Sequence, residues 1–183
     1  MNDRASRAIK TVIDAFPKEG VATTFLSRLG EGALTRDENP KTHFCVYFSG
    51  YDPKAKEIFM GHHKKSDLWL VNGGHIDRGE TPTEALEREI REEWGVQIAA
   101  KAIGAPKLLT LTHVRNNPRV TCTRHYDIWY FVSLNKKTFT PDQSLLAKEF
   151  YETRWLSPPA AHAAARDPNT HKAIDLLSSQ IFR

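Results

Sequence analysis

Only two cysteines, Cys45 and Cys122, occur in the 183 residues. They lie far apart in apolar runs, so a disulfide framework is excluded, and no zinc-type spacing links them to neighbouring ligands. No apolar run approaches the roughly 20 residues that a membrane-spanning helix needs. The first residues hold no signal-peptide core, and Asp3 and Asp14 do not suit a transit peptide. There is no block of like charges, no internal repeat and no low-complexity segment. These absences predict a protein of a reducing compartment, the cytoplasm, with no membrane partner and both thiols reduced.

The remaining composition is that of an ordinary globular chain, 40% hydrophobic and 26% charged. A chain of this length fits one domain and buries roughly 70% of its unfolded surface, so it needs no metal simply to fold. Lys and Arg number 26 against 22 Asp and Glu, a net charge of +4. That modest excess suits anionic small molecules and gives little support to nucleic-acid binding.

Periodicity divides the chain. Ala8, Ile9, Val12, Ile13 and Phe16 have helical spacing, and Pro17 stops that helix. Residues 18–41 predict a second short helix and a loop. Residues 1–42 therefore read as an N-terminal helical extension and 43–183 as the main domain. The extension suits a homodimer arm, a pocket lid or core padding equally. Strands are expected at 43–48, 57–60, 68–71, 107–114, 124–134 and 150–156, with a turn at Gly50-Tyr51-Asp52-Pro53. Helices are expected at 82–94, 158–165 and 170–179. Strands around one central helix, with more helix at both ends, give an α/β (α+β) layered domain.

Chemistry concentrates at Gly73-Gly74-His75-Ile76-Asp77-Arg78-Gly79-Glu80 and the helix that follows. Thr81 can cap that helix, Pro82 fits its first turn and Glu84 completes a capping box; Gly95 stops it. At about 100° per residue, Glu89, Glu92 and Glu93 fall within one arc, beside the core-facing Leu86, Ile90 and Trp94. Ala85 is expected among the glutamates. Such crowding repels, and partial burial raises the carboxylate pKa values. A hard divalent cation relieves both effects. Otherwise the helix presents a solvated acidic face with Arg88 and Arg91 as partners.

The pattern resembles the Nudix hydrolase box, G-x5-E-x7-R-E-U-x-E-E-x-G-U, where U is bulky and apolar. Gly74, Glu80, Arg88, Glu89, Ile90, Glu92, Glu93, Gly95 and Val96 match it without a gap over residues 74–96. Seven fixed identities arise by chance on the order of once in 10⁸ chains. The resemblance implies a Nudix-like sandwich: a mixed β-sheet between helices, with a catalytic loop–helix–loop. It implies Mg²⁺- or Mn²⁺-dependent cleavage of the phosphoanhydride of a nucleoside diphosphate linked to another group. Carried over, Glu89, Glu92, Glu93 and the Gly73 carbonyl become metal ligands, and Glu89 also the base. Arg88 and Glu80 become an orienting pair, and Gly74 and Gly95 serve backbone conformation. Glu149, before the last strand, resembles the family's auxiliary base or further ligand. Asn72 stands where many relatives carry proline.

Several residues suit substrate contact: Lys64 and Lys65, one face of the strand at 124–134, and Arg115, Asn117 and Arg119 around Pro118. The eight histidines have no tight metal spacing, and His75 reads as a loop histidine without a ligand role. Three functions follow: a pyrophosphohydrolase of a small nucleotide, a non-catalytic nucleotide-binding module of the same fold, and an RNA 5′-end processing hydrolase. Family markers for NADH, CoA, ADP-ribose and dinucleoside polyphosphates are absent.

Overall fold

β-branched and aromatic runs supply the strands of one mixed sheet, and amphipathic segments on either side supply the helices. The computed structural model describes residues 4–114 and 121–182. In chain order the elements are α1 (Arg4–Asp14), α2 (Val21–Gly30), β1 (Thr42–Asp52), β2 (Glu57–His63), β3 (Leu68–Leu70), β4 (Asn72–His75), α3 (Pro82–Trp94) and α4 (Ala100–Ile103). There follow β5 (Leu108–His113), β6 (Arg124–Ser133), α5 (Gln143–Glu149), β7 (Phe150–Leu156), α6 (Pro158–Ala164) and α7 (Pro168–Leu176), then a π-helical turn at Leu177–Ile181. Among the described residues no helix is long and apolar enough to cross a membrane.

The seven strands run β3-β2-β1-β6-β5, with β4 added to β1 and β7 to β2. β1 and β6 are parallel from Thr42↔Arg124 to Tyr51↔Ser133, and every other pair is antiparallel. β1 forks the sheet. Its middle pairs with β4 (Cys45↔His75 to Phe48↔Asn72), while its end pairs with β2 at Tyr51↔Ile58. The fork brings the glycine-rich segment into the sheet.

Both faces of the sheet are covered. Phe44, Val46 and Phe48 of β1 and Tyr126, Ile128 and Tyr130 of β6 pack on Leu86, Ile90 and Trp94 of α3. Ile9 and Ile13 of α1 and Phe25 of α2 belong to that same cluster, so the N-terminal helices contribute to the main core. The opposite face places Ile58, Met60, Trp129 and Phe131 under Ala161 of α6, Ala173 and Ile174 of α7, and Leu177. Arg28 is buried and donates to the carbonyls of Gly32, Ala33 and Thr42, tying the end of α2 to the start of β1. Each guanidinium–carbonyl bond offsets part of the cost of burying the charge.

Four expectations need correction. The turn placed at residues 50–53 is shifted: β1 continues through Asp52, and the reversal follows it. The Asp52 carboxylate holds that reversal, accepting the N–H groups of Lys54 (2.8 Å) and Ala55 (2.9 Å). The segment from Asn72 to His75 is a strand rather than part of a loop, because β1 offers it an open edge. Both faces of β6 are largely core, so neither is an open pocket wall of alternating residues. Ala85 is fully buried in the main core rather than set among free carboxylates. The short helices α4 and α5 lacked a periodic signal in the sequence.

Candidate functional site

The helix α3 begins and ends on the residues that its sequence predicts. Thr81 Oγ1 accepts the Glu84 N–H at 3.3 Å, and Glu84 Oε2 accepts the Thr81 N–H at 2.9 Å, a reciprocal capping box. At the other end Gly95 sits at φ 71°, a left-handed conformation that favours glycine, and its N–H reaches the Arg91 carbonyl.

α3 turns its glutamates toward β4. Glu93 is 9% exposed, whereas the Glu92 side chain is 57% exposed. Glu93 accepts hydrogen bonds from Asn72 Nδ2 and from the Gly73 N–H at 3.2 Å. Burial pushes its carboxyl up to about 8, against the pull of the Asn72 hydrogen bond. Among the described residues no cation is hydrogen-bonded or ion-paired to Glu93. Burial also raises the Glu89 carboxyl, opposed by its hydrogen bond from Arg88. Glu89 packs so closely on Gly74 that a Cβ there would lie 1.9 Å from Glu89 Oε1. Gly74 is therefore needed for space rather than for an unusual φ.

Arg88 is the hub. Its Nε and NH2 donate to Glu80 at 2.8 and 3.0 Å, a two-point pair. The same guanidinium reaches Glu89 at 2.8 Å, Glu92 at 3.1 Å and the His75 carbonyl at 2.8 Å. Hydrogen bonding to Glu80 leads the forces that hold Arg88 charged. Burial works against the Glu80 carboxyl, yet Arg88 and the Asp77 N–H leave it below the usual carboxylate value.

Glu149 ends α5 rather than lying in a loop. It pairs with Lys65 at 2.8 Å and with His63 at 3.5 Å, and its charge is near enough to raise Glu93 further. Burial acts to raise the Glu149 carboxyl, but Lys65 outweighs it and leaves it low. Lys64 donates to the Ala147 carbonyl. The structure thus gathers Gly73, Glu80, Arg88, Glu89, Glu92 and Glu93 around α3 and β4, with Glu149 beside them. Arg115, Asn117 and Arg119 lie outside the described residues. Sequence reasoning noted Asn72 only as a departure from proline and missed its side-chain donor to Glu93.

The donors fit a hard divalent cation. Two deeply set carboxyl groups, both held toward the neutral form by burial, and a third at the rim offer oxygen donors whose ionised form a cation would favour. The three are spread rather than drawn to one point. Among the described residues, the sets of three or more His, Cys, Asp or Glu whose ligand atoms all lie within 4.8 Å are others, on the far side of the sheet. Arg88 explains the spread, since it takes Glu89 and Glu92 for itself.

Geometry and comparison agree on the class. The NUDIX domain family model matches residues 31–177, and the chain belongs to that family. Among solved structures it is similar to the Escherichia coli dihydroneopterin triphosphate pyrophosphohydrolase, with a TM-score of 0.59 and 20% identity over 72% of this chain and 92% of that one. It is also similar to a Caenorhabditis elegans Ap4A hydrolase, with a TM-score of 0.57 and 16% identity over 74% of this chain and 95% of that one. These likenesses show the fold. In sequence it is 23% identical over 132 residues to the dihydroneopterin triphosphate diphosphatase of Escherichia coli (strain K12), covering 68% of this chain and 85% of the relative. It is 30% identical over 112 residues to the RNA pyrophosphohydrolase of Xanthomonas axonopodis pv. citri (strain 306), covering 55% of this chain and 52%, about half, of that protein.

Proposed function

We propose that this protein is a divalent-metal-dependent pyrophosphohydrolase that cleaves the phosphoanhydride bond of a small nucleotide. The observation that carries the reading is Glu93: a buried carboxylate beside Glu89, with no cation of its own among the described residues. Membership of the NUDIX domain family and the pyrophosphohydrolase names of its relatives support the reaction class. Mg²⁺ or Mn²⁺ would be held by Glu89, Glu92, Glu93 and the Gly73 carbonyl. When bound, the ion neutralises pyrophosphate oxygens and makes water more acidic. Glu89 then accepts the proton of the attacking water, which approaches phosphorus in line with the leaving oxygen. Arg88, fixed by Glu80, positions Glu89 and Glu92. Glu149 serves as an auxiliary base once Lys65 lets it go. The same reading puts the protein in the cytoplasm, in keeping with its two buried free cysteines. It also treats residues 1–42 as an N-terminal extension of the hydrolase domain, and leaves a homodimer to be tested by sedimentation.

Phosphorus NMR of the purified protein with Mg²⁺ tests the proposal. The panel holds nucleoside triphosphates, dihydroneopterin triphosphate, ADP-ribose, NADH, dinucleoside polyphosphates and 5′-triphosphorylated RNA. Turnover that disappears with chelator and in Glu92→Gln and Glu93→Gln is expected. Activity untouched by all three would overturn it. Binding of a nucleotide without product over hours would instead favour the binding-module reading. The RNA arm follows from the Xanthomonas relative; RNA binding through phosphates must weaken with salt.

A further inference from the structure

A second constellation lies on the face of the sheet turned away from α3. His43 and His125 are paired across β1 and β6, and His75 is paired with Cys45 across β4 and β1. Cys122, just before β6, closes the group. The Cys122 sulfur is 3.7 Å from His43 Nε2 and 3.9 Å from His75 Nε2. The three imidazoles contact one another, with ring centroids 4.7, 5.0 and 5.3 Å apart. One ligand atom from each of the four residues lies within 4.8 Å of all the others.

We propose that His43, His75, His125 and Cys122 form a site for one divalent ion of the zinc class, separate from the glutamate site. The donor set comes first in the argument. Three imidazole nitrogens and a thiolate favour a borderline-soft ion over Mg²⁺ and suit a closed tetrahedron. Distances come second. Metal–nitrogen and metal–sulfur bonds of about 2.0 and 2.3 Å set tetrahedral N···S edges of about 3.5 Å, so the two observed separations need to close by only a few tenths of an ångström.

Orientation comes third. His43 Nδ1 lies 2.9 Å from the Asn39 carbonyl, which can only accept. Nδ1 must therefore carry the proton, and Nε2 presents a bare lone pair toward Cys122. His125 Nε2 is buried and has no hydrogen-bond partner. Burying such an atom unpaired is costly unless something occupies it. Binding releases the Cys122 thiol proton to solvent, and the ion takes the sulfur lone pair; nothing is oxidised.

A neighbouring set, Cys45, His125 and Asp127, shares His125. That set offers only three donors, and Asp127 Oδ2 there accepts from Thr110 (2.9 Å) and Thr112 (2.6 Å) while its Oδ1 is buried without a partner. The four-residue set also spans more of the chain. It ties β1, β4, β6 and the residue entering β6 to a single point. His75 makes the link to the first site, because its carbonyl accepts from Arg88. His75 lies on a strand rather than in the loop that the sequence suggests, and the ligand role given to it here is part of the proposal.

Cobalt titration of the purified full chain tests it. One equivalent of Co²⁺ should give the intense visible bands of a tetrahedral centre and a sulfur-to-cobalt charge-transfer band. Zn²⁺ should erase both, and Mg²⁺ should erase neither. Cys122→Ser should lose the charge-transfer band, and His125→Ala should weaken binding at least tenfold. Cys45→Ser and Glu92→Gln should leave the spectrum unchanged, so this site and the proposed hydrolase site fail independently. A wild-type protein that gives no tetrahedral spectrum overturns the proposal. So does a band that survives Cys122→Ser or vanishes in Cys45→Ser.

Discussion

Gly74 and Glu89 are coupled through space alone. A methyl at Gly74 would collide with the far end of the Glu89 side chain, which can swing aside. Gly74→Ala should therefore keep the fold and misplace the carboxylate. The expected result is a fall in kcat on the order of 100-fold, with little change in the urea midpoint. Asn72→Ala removes a donor from Glu93 and should raise the Mg²⁺ concentration for half-maximal activity about 10–100-fold, read from metal titration of the rate. At this scale the candidate site was legible where its chemistry is compact in sequence. Arg88, Glu89, Glu92 and Glu93 share two turns of one helix, and Glu80 lies two residues before that helix begins. Asn72 was not legible, because its contact depends on how β4 meets α3. The histidine–cysteine group was less so. Its members stand at 43, 75, 122 and 125, and only the pairing of β1 with both β6 and β4 brings them together.

Elements differ in how much of their fate they carry within themselves. α3 contains its own cap, first-turn proline and terminal glycine, so its range of 82–94 follows from sequence. Thr81→Ala should cost about 0.5–2 kcal/mol of stability in urea unfolding, the usual value of such a cap. β4 holds two glycines and no alternating pattern, and it becomes a strand only because β1 leaves an edge beside it. The turn after β1 depends on Asp52, whose carboxylate also accepts the distant Lys136 N–H at 2.8 Å. The backbone N–H groups of Ala55 and Lys136 hold its carboxyl below the usual value. A depressed carboxylate contributes stability above its unfolded value, and that contribution is lost as pH falls through the lower folded one. Asp52→Ala should then be less stable than wild type at pH 7. The difference should shrink below about pH 4, as urea unfolding at both pH values would show.

For the molecule as a whole, the family match begins at residue 31, yet the main core begins earlier. Ile9, Ile13 and Phe25 are fully buried. Each contributes about 1.5–3 kcal/mol, and together they approach the roughly 5–15 kcal/mol that holds a domain folded. A chain started at residue 31 should lose its cooperative thermal transition by circular dichroism; a retained transition would show that α1 and α2 add little. The forked strand also sets an order in time. β1 is central to the sheet, but its longest partner, β6, lies about eighty residues further along the chain. At about 5–20 residues per second, synthesis leaves Phe44, Val46 and Phe48 waiting roughly 4–16 s for their neighbour. In that interval a bare apolar strand emerges from the ribosome with its middle unclaimed except by β4. Nascent chains halted before residue 124 should be cut readily by protease, and those extended past β6 should resist it.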